Sequence, residues 1–493
     1  MSEELLKACE FIKTHTRKNK TRYKLEYHFT PNVGWMNDPN GFIFYKGEYH
    51  LFYQYYPYDI KWGPMHWGHT KSKDLIHWEN LKVALAPDQD YDRELGCFSG
   101  SAIEKDGKLY VMYTGATKNR QTQNIAIMND LGEFEKYEHN PVIDEKILPD
   151  EYEIKNFRDP KIVEHKGKYY AFIGVKKKKE GTSILLYKSS DLLHWEYVND
   201  IYSINLERNG MIECPDYLHL KGYDILMFSP QFISSSEKHR HQNVHSVVYV
   251  VGHLDFNKGT FEKITEPIEL DNGFDFYATQ TTKGPLNQTI MVAWEQMWDR
   301  NFPTSEEGWV GSMILPRVLT LKNLNIIQTP ISLNSEVTST HKLKKAMLKD
   351  MCLKEYIDGE QFIVSLLIDT KKVQDKVGLK LRVCNGEYTD IYFEKSTNMV
   401  VFDRTNSGVE IKNLNGSASN IRYALRKSTL QFMKLKVIVD NTAVEIYVDD
   451  CDICLSGNIY SKFAGSKKDY LIDNDNSIVE LEIKNLKGGN IDD

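Results

Sequence analysis

The sequence predicts an all-β protein, a five-bladed β-propeller followed by a C-terminal β-sandwich, with a short helix at the N-terminus. Three observations predict this fold. Apolar residues alternate with a period of two from about residue 26, a hairpin turn recurs at a nearly constant interval, and alternation resumes in the last third of the chain. Residues 3–17 have helical spacing, with Leu5, Leu6, Cys9 and Ile12 as the apolar residues, and "HKLKKAMLKDMCLKEY" from residue 341 is either a short helix or an irregular crossing.

The recurring turn is the basis of the propeller prediction. Each copy joins two aromatic-rich strands, and the turn glycines are Gly47, Gly107, Gly167, Gly222 and Gly284, separated by 60, 60, 55 and 62 residues. A second motif repeats in the same register, since "SKDLIHWE" at 72–79 returns as "SSDLLHWE" at 189–196. Repeats of this length, each with about four short strands, are typical of propeller blades. The alternative is a β-sandwich with coincidental glycine spacing.

The chain divides into four predicted segments. They are an N-terminal helical segment at 1–24, the propeller at 25–325, a linker at 326–344 and the sandwich at 345–493. In the last segment, stretches such as "LKVIVD" and "AVEIYVDD" alternate and are separated by polar turns. We expect this sandwich to support the propeller, and the alternative is that it binds sugar.

The composition excludes several classes of protein. The 493 residues suffice for two or three domains, and 62 basic against 69 acidic residues give a net charge of −7, without a basic surface for nucleic acid or a membrane. Seven scattered cysteines argue against a disulfide framework, and Cys451 and Cys454 lack the further ligands of a zinc site. The N-terminus has no apolar segment of signal-peptide length, and no run of 18 apolar residues occurs. We therefore expect a cytoplasmic protein without metal or cofactor.

Three acidic residues occupy equivalent positions in three of the repeats. Asp38 lies nine residues before its turn glycine, Asp159 eight and Glu213 nine. The equivalent positions of the second and fifth repeats hold residues 98–99 and 275–276. If these positions begin the innermost strands, the three carboxylates converge on one cavity. Burying them is costly unless they bind a cation or act as acid and base, so calcium binding and glycoside hydrolysis are the alternatives.

The residues beside the three acids favour glycoside hydrolysis. Arg158 is next in sequence to Asp159 and can hold a carboxylate ionised. Glu213 is followed by Cys-Pro, a less polar setting that predicts a protonated Glu213, while Asp38 stays ionised. Two carboxyl groups whose pKa values are driven apart can work as a nucleophile and a general acid.

Five sequence blocks, in order, resemble the signature blocks of the invertase family of β-fructofuranosidases, and the bacterial sucrose-6-phosphate hydrolases are the nearest group within it. The blocks are "WMNDPNG" (35–41), "GPMHWGH" (63–69), "FSGSA" (98–102), "FRDP" (157–160) and "ECPD" (213–216). The resemblance implies a five-bladed propeller followed by a sandwich, and hydrolysis with retention of configuration.

The resemblance also implies roles for single residues. Asp38 would be the nucleophile that forms a covalent fructosyl-enzyme, Glu213 the general acid and base, and Asp159 a stabiliser of the transition state. The positions that match the lining of the fructose pocket are Asn37, Gln54, Trp62, Phe98, Ser99, Arg158 and Trp294. Ile212 departs from the family, where an aromatic residue is common, and this leaves the contacts to the leaving group open.

The sequence leaves the choice of substrate open. We expect a small sugar partner, namely sucrose-6-phosphate, sucrose or a short fructan, and no nucleic acid or membrane. The alternatives are an exo-fructanase or fructosyltransferase on the same scaffold, or a non-catalytic carbohydrate-binding propeller. The basic residues of 238–245 are either a surface loop or a site for the phosphate of a sugar. The four lysines of 176–179 are interpreted as a solvated hairpin loop.

Overall fold

The computed structural model describes residues 2–16, 21–344, 351–412, 419–463, 468–473 and 476–488. In these residues the one α-helix is Glu3–His15, which begins after Ser2, whose side-chain oxygen accepts a hydrogen bond from the Leu5 amide (3.4 Å). Leu5 and Ala8 bury its apolar face in a cluster that includes Phe29. Short 3₁₀ helices span Glu207–Asn209, Pro303–Glu307 and Asn334–Glu336.

Strands make up most of the described structure and form seven sheets there. The first five sheets follow one another along the chain between residues 34 and 330. Sheet 1 contains Gly34–Tyr45, Glu48–Tyr56, His66–Ser72, Glu79–Asn80 and Trp309–Val310; sheet 2 contains Gly96–Lys105, Lys108–Ala116, Gln121–Met128 and Phe134–Lys136; sheet 3 contains Tyr152–His165, Lys168–Lys177, Thr182–Ser189 and Trp195–Ile204. Sheet 4 contains Ile212–Leu220, Tyr223–Pro230, Val248–Asp255, Thr260–Lys263 and Ile268–Glu269; sheet 5 contains Tyr277–Lys283, Thr289–Trp294, Arg317–Lys322 and Asn325–Pro330. Across the described ranges, no helix combines the length and the apolar character that a membrane span requires.

The hairpins that open these sheets turn at the predicted glycines. In sheets 1 to 4 both turn residues have positive φ, as in Lys46 (49°) and Gly47 (86°), so the turn matches the twist of the two strands. The fifth hairpin has a longer turn, closed by a hydrogen bond from the Gly284 amide to the Gln288 carbonyl (2.8 Å). Because of this longer turn, the number of residues between Gly284 and the equivalent position of the fifth strand differs from that in the other four hairpins.

The first strands of the five sheets are neighbours in a closed ring. Each contacts the first strand of the next sheet, and the first strand of sheet 5 contacts that of sheet 1. The chain also returns to sheet 1, where Trp309–Val310 pairs in parallel with the start of the first strand. The first strands therefore surround a common axis, and the side chains at their starts lie near one another.

Sheets 6 and 7 form the second part of the protein. Sheet 6 contains Val337–Lys344, Gln361–Asp369, Phe432–Asp440, Ala443–Val448, Ile453–Asn458 and Ile478–Leu486; sheet 7 contains Lys376–Cys384, Glu387–Glu394, Met399–Asp403, Ile421–Leu425 and Lys468–Asp473. Val364 and Leu366 of sheet 6 lie in one apolar core with Leu379 and Ile391 of sheet 7. Two sheets that share a core in this way form a sandwich.

The segment 326–344, which the sequence assigns to a linker, contains two strands. Asn325–Pro330 is an edge strand of sheet 5, and Val337–Lys344 is an edge strand of sheet 6. Residues 331–336 connect these two strands. The two parts of the chain are therefore joined by a short connection.

A buried polar network also joins the two parts. Arg317 of sheet 5 contacts Glu445 of sheet 6 (2.6 Å) and Asp271 (3.1 Å). His28, which precedes sheet 1, contacts Asp440 (2.9 Å) and Glu445 (3.0 Å) through its two ring nitrogens. All five side chains are fully buried, and each charge is compensated by a partner.

Candidate active site

Each of the five first strands contains a β-bulge before its hairpin turn. In sheet 1 the register of pairing shifts between Met36 and Pro39, and the other four sheets show a shift at the corresponding place. Asp38 lies in the first of these bulges, Asp159 lies in the third with φ 67°, and Glu213 borders the fourth. A bulge redirects a side chain out of the strand's regular alternation. The bulges therefore aim side chains at the common axis.

Asp38 is held by three side chains. Asn37 Nδ2 donates a hydrogen bond to its Oδ1 (3.0 Å), Ser99 Oγ donates to its Oδ2 (2.9 Å), and the thiol of Cys214 is 3.6 Å from the same Oδ2. Burial raises the pKa of Asp38 to about 6; the hydrogen bond from Asn37 opposes this rise, and the charge of Glu213 adds to it. A proton is thus retained on Asp38 at a higher pH than on an ordinary aspartate.

Asp159 adjoins the same thiol. The Cys214 amide donates to Asp159 Oδ2 (2.9 Å), and the Cys214 sulfur lies 3.7 Å from that oxygen. The Asp159 amide donates to Thr114 Oγ1 (3.0 Å), and Arg158 Nε is 3.9 Å from the carboxylate. Burial raises the pKa of Asp159 to about 7, although the positive charge of Arg158 opposes this rise. The two aspartates therefore meet at Cys214, the residue that follows Glu213.

Glu213 is bound on both of its oxygens. Arg158 Nη2 donates to Oε1 (2.8 Å), and the Tyr277 hydroxyl donates to Oε2 (2.5 Å). Burial by itself raises the pKa of Glu213, but the charges of Arg158 and His245, together with these hydrogen bonds, outweigh it and hold the pKa below its ordinary value. The prediction of a protonated Glu213 is therefore wrong for the free protein. The residues that decide its ionisation come from sheets 3 and 5 and from the loop that carries His245, not from its sequence neighbours.

The other predicted pocket residues lie at different depths. Asn37, Ser99 and Arg158 contact the carboxylates directly, as described above. Trp62 is 40% exposed and meets the Phe98 ring edge-on, with ring centroids 6.0 Å apart. Such an arrangement leaves an aromatic face free to stack on a sugar.

Gln54 and Trp294 are buried behind the site. Gln54 Nε2 donates to the carbonyl oxygen of Cys97 (2.9 Å), the residue before Phe98. Trp294 is fully buried against Trp35, with ring centroids 6.3 Å apart, and Trp35 Nε1 donates to Asn37 Oδ1 (2.7 Å). Gln54 and Trp294 thus contact residues that adjoin or hold the pocket side chains.

The sequence did not single out Tyr277, which contacts Glu213. Counting back from Gly284 gives Asp275 and Phe276 as the equivalent of the other acids, but the fifth hairpin has a longer turn. Asp275 lies elsewhere, buried against Arg404 of the sandwich (2.7 Å). Its place beside the carboxylates is taken by Tyr277, the first residue of the strand. A count that allowed for the longer turn could have found it.

The basic residues of 238–245 are not gathered at the carboxylates. Arg240 is 3.7 Å from Glu237 and lines a cavity of about 430 Å³ between sheets 4 and 5 and the sandwich, together with Lys427. His245 turns the other way, and its ring centroid is 5.5 Å from that of Tyr277. The basic residues of this loop therefore lie in two different places, Arg240 at the cavity and His245 beside Tyr277.

Two family models match the chain. The model described as the N-terminal domain of glycosyl hydrolases family 32 matches residues 28–330, and the model for the C-terminal part of the same family matches residues 326–485. A sucrose-6-phosphate hydrolase of Zymomonas mobilis is 36% identical over 445 residues, which cover 86% of this chain and 83% of that relative. The matches extend over both parts of the structure.

Solved structures resemble the whole chain. A beta-fructofuranosidase variant of Bombyx mori in complex with sucrose has a TM-score of 0.85 at 30% identity and covers 98% of both chains. A sucrose-6-phosphate hydrolase from Lactobacillus gasseri has a TM-score of 0.83 at 26% identity, covering 98% of this chain and 96% of the other. These likenesses imply a β-propeller joined to a β-sandwich.

Proposed function

The chain belongs to glycosyl hydrolase family 32, and we propose that it hydrolyses the β-fructofuranosyl bond of sucrose-6-phosphate or sucrose. The observation that carries the proposal is a cluster of three carboxyl groups. Asp38 and Asp159 both contact Cys214, and Arg158 donates a hydrogen bond to Glu213. The names of the similar hydrolases support this class of substrate. Arg158 argues against calcium at this place, because it already occupies carboxylate oxygens and brings a positive charge.

We assign the first step to Asp38 and Glu213. The Asp38 carboxylate attacks C2 of the fructosyl unit, the bond from C2 to the glycosidic oxygen breaks, and Glu213 gives its proton to that oxygen. Asp159 accepts hydrogen bonds from fructosyl hydroxyls and stabilises the positive charge that develops on the ring. The products of this step are the free leaving sugar and a covalent fructosyl-enzyme.

In the second step the roles of Glu213 are reversed. Glu213, now ionised, takes a proton from a water molecule, and the oxygen of that water attacks C2 from the side that the leaving sugar vacated. The ester bond to Asp38 breaks, and fructose departs with the configuration that it had in the substrate. Two inversions at C2 give net retention.

The cluster contains the proton that the first step needs. In the free protein the pKa values of Asp38 and Asp159 are raised to about 6 and about 7, while that of Glu213 is lowered, so among the three acids Asp159 holds a proton most readily. Fructosyl hydroxyls that donate to the aspartates favour their ionised forms, and the exclusion of water around Glu213 favours its protonated form. Substrate binding thus moves the proton to the group that must donate it.

We further infer that the five ring-forming sheets are the five blades of the propeller, and that sheets 6 and 7 are the following sandwich. The closed ring of first strands supports this assignment. We place the N-terminal segment at 1–24 and let the propeller extend from about residue 25 to the end of Asn325–Pro330. All seven cysteines are free, which supports a reducing compartment, the cytoplasm.

The proposal is tested by kinetics on the purified protein with sucrose, sucrose-6-phosphate and inulin. We expect release of fructose from the first two substrates at a higher kcat/KM than from inulin. Proton NMR at early times should show β-fructofuranose as the first anomer. Inverted product would reject the two-step mechanism, and a preference for inulin would favour the exo-fructanase.

Replacing Glu213 tests its role as the acid. We expect Glu213→Ala to lose about 10²- to 10⁴-fold in turnover on sucrose, and much less on an aryl β-fructofuranoside whose phenolate leaves without protonation. The exposed Glu207, in the loop before Ile212, provides the control variant Glu207→Ala, which should keep its turnover on both substrates. Equal losses of Glu213→Ala on the two substrates would assign the proton transfer to another group.

A further inference from the structure

The four lysines at 176–179 do not share one environment. Lys177 Nζ is 3.2 Å from Asp200 Oδ2 and donates to Ser203 Oγ (2.9 Å), on one face of sheet 3. Lys178 and Lys179 are exposed. Lys176 is half-buried, and its side chain points to the opposite face from Lys177, because successive side chains in a strand alternate.

The face of sheet 3 that carries Lys176 looks toward Glu213. Gly174 pairs with Arg158 across the sheet, and residues in such pairs project to the same side. A Cβ atom on Gly174 would lie 2.5 Å from the carbonyl oxygen of Ile212, the residue before Glu213. Lys176 is two residues along the same strand, so Arg158 and Lys176 project side by side toward the start of sheet 4.

The neighbouring strand places Lys176 close to Ile212, the residue before Glu213. Lys176 pairs with Thr182, whose Oγ1 accepts a hydrogen bond from the Ile212 amide (2.9 Å). Arg158 is already bound to Glu213, whereas Lys176 has no carboxylate within 4.0 Å among the residues that the structure describes. Glu153, the acid whose charge acts most on Lys176, accepts a hydrogen bond from Asn156 (2.7 Å).

The electrostatics of Lys176 agree with this geometry. Burial lowers the pKa of Lys176, the charge of Arg158 lowers it further, and Glu153 and Glu213 raise it. The ammonium group is therefore partly desolvated and within the electric field of Glu213, without an ion pair of its own. The electrostatic attraction between this ammonium group and an anionic ligand group is therefore stronger than it would be for a fully solvated lysine.

We propose that Lys176 binds the phosphate of a leaving sugar that is phosphorylated on its 6-position, so that the protein prefers sucrose-6-phosphate to sucrose. The inference rests on the proposed function, because it places the glycosidic oxygen at Glu213. The 6-phosphate of the leaving glucosyl unit is one sugar ring away from that oxygen, on the outer side of the site. Lys176 lies two residues along the strand from Gly174, the cross-strand partner of Arg158, and a phosphate oxygen forms a strong charge-assisted hydrogen bond with an ammonium group.

The test compares kcat/KM on sucrose-6-phosphate and on sucrose for the wild type, Lys176→Gln and Lys179→Gln. We expect Lys176→Gln to lower the ratio of the two values by about 10- to 100-fold, the loss typical of a hydrogen bond to a charged group. Lys179→Gln removes an exposed charge from the same run and should leave the ratio unchanged. Lys176→Arg should recover part of the ratio, since it restores the charge.

A second readout is product inhibition. We expect the inhibition constant for glucose 6-phosphate to rise about tenfold or more in Lys176→Gln, while the constant for fructose stays that of the wild type. An unchanged ratio of the two kcat/KM values in Lys176→Gln would overturn the inference. A lowered ratio in Arg208→Gln with an unchanged one in Lys176→Gln would do the same and would assign the phosphate to Arg208, which lies in the short helix before Ile212 with its guanidinium over the Phe232 ring (5.4 Å). In either case hydrolysis of both substrates by the wild type would leave the proposed function standing, whereas hydrolysis of neither would reject that function.

Discussion

At the scale of single residues, the hydroxyl of Tyr277 and the guanidinium of Arg158 control the proton on Glu213. They contact its two oxygens at 2.5 and 2.8 Å, and both favour the carboxylate over the carboxylic acid. The same groups fix the direction of the carboxyl group toward the aspartates. A general acid that is ionised in the free protein receives its proton only when substrate changes the balance within the cluster.

This control predicts a pH effect of Tyr277→Phe. The substitution removes a hydrogen bond to the ionised form, so the pKa of Glu213 rises. A general acid must hold its proton in the enzyme–substrate complex, so a higher pKa of Glu213 moves the alkaline limb of kcat to higher pH. The measurement is the pH profile of sucrose hydrolysis.

The control for this experiment is Tyr217→Phe. The Tyr217 hydroxyl also donates to a carboxylate, Asp224 Oδ1 (2.6 Å), but on the part of sheet 4 that lies away from Glu213. Its profile should match that of the wild type. An alkaline limb that stays in place in Tyr277→Phe would mean that a group other than Glu213 sets it.

The sequence indicated the residues of the site better than their protonation. The turn spacing and the five motifs identified Asp38, Asp159 and Glu213 as candidates. In the structure both aspartates contact Cys214, the residue that follows Glu213. The ionisation of Glu213 could not be read from the chain, because Arg158 and Tyr277 reach it from other sheets. Local polarity along a sequence is a weak guide when the contacts come from three strands of a ring.

At the scale of elements, the position of Glu213 depends on the close approach of sheets 3 and 4. Gly174 is the point of contact, since even a methyl group there would meet the Ile212 carbonyl oxygen at 2.5 Å. The absence of a side chain also leaves room for Arg158, its cross-strand partner, to reach Glu213. A sequence analysis that looks for turn glycines does not detect such a glycine, because it stands in the middle of a strand.

Gly174→Ala should therefore affect both stability and catalysis. We expect a loss of about 1–3 kcal/mol in the free energy of unfolding, as for other overpacked sites, because the strand of Ile212 must move outward. The same movement displaces Glu213 from Arg158 and lowers kcat. Denaturant unfolding and sucrose kinetics measure the two effects.

The turn residue Gly167 provides the comparison for this prediction. Its φ is 73°, and a methyl group at its Cα would have no atom within 4 Å, so Gly167→Asn introduces a residue type that tolerates this backbone without crowding a neighbour. We expect only a small change in stability and none in kcat. A Gly174→Ala protein with wild-type stability and kcat would show that the two sheets can separate without cost.

Counting back from the turn glycines identified the site residues in some hairpins and failed in the fifth. In the hairpins with two turn residues of positive φ, the acids at the bulges lie eight or nine residues before the turn glycine, so counting back from Gly47 or Gly167 identifies them. In the fifth hairpin the turn is longer, and the same count ends at Asp275 rather than Tyr277. The strands at 326–330 and 337–344 escaped prediction; both are edge strands, of sheet 5 and of sheet 6, and pair with a neighbour on one side only.

At the scale of the whole molecule, the buried network of His28 joins the propeller to the sandwich. His28 contacts Asp440 and Glu445 of sheet 6, and Glu295 of the propeller lies beside it. Although burial opposes protonation, the charge of Glu295 and the contacts with Asp440 and Glu445 raise the pKa of His28 well above its ordinary value of 6.5. The imidazolium therefore holds acids of both parts together.

The network predicts that the contribution of His28 to stability depends on pH. A group whose pKa is higher in the folded than in the unfolded protein stabilises fully below its unfolded value, here 6.5, and this stabilisation is lost as the pH rises through the folded value. The lowered pKa values of Asp440 and Glu445 make stability depend on pH only in acid, below about pH 4–5. Burial raises the pKa of Glu295 well above its ordinary value, so the ionisation of Glu295 also costs stability as the pH rises, in the wild type and in a His28 variant alike. We expect His28→Gln to cost about 3–5 kcal/mol at pH 6, the loss typical of a broken buried pair. The difference in the free energy of unfolding between His28→Gln and the wild type should be smaller at pH 9 than at pH 6. Denaturant unfolding at both pH values measures it.

The control variant is His139→Gln, since the side chain of His139 is 71% exposed and contacts the exposed Glu138 at 3.5 Å. It should unfold like the wild type at pH 6 and at pH 9, which separates the loss of a buried imidazolium from any general effect of removing a histidine. A gap between His28→Gln and the wild type that is equal at the two pH values would mean that His28 is neutral in the folded protein. The two parts would then be joined by the ion pairs of Arg317 with Glu445 and Asp271 rather than by a protonated histidine.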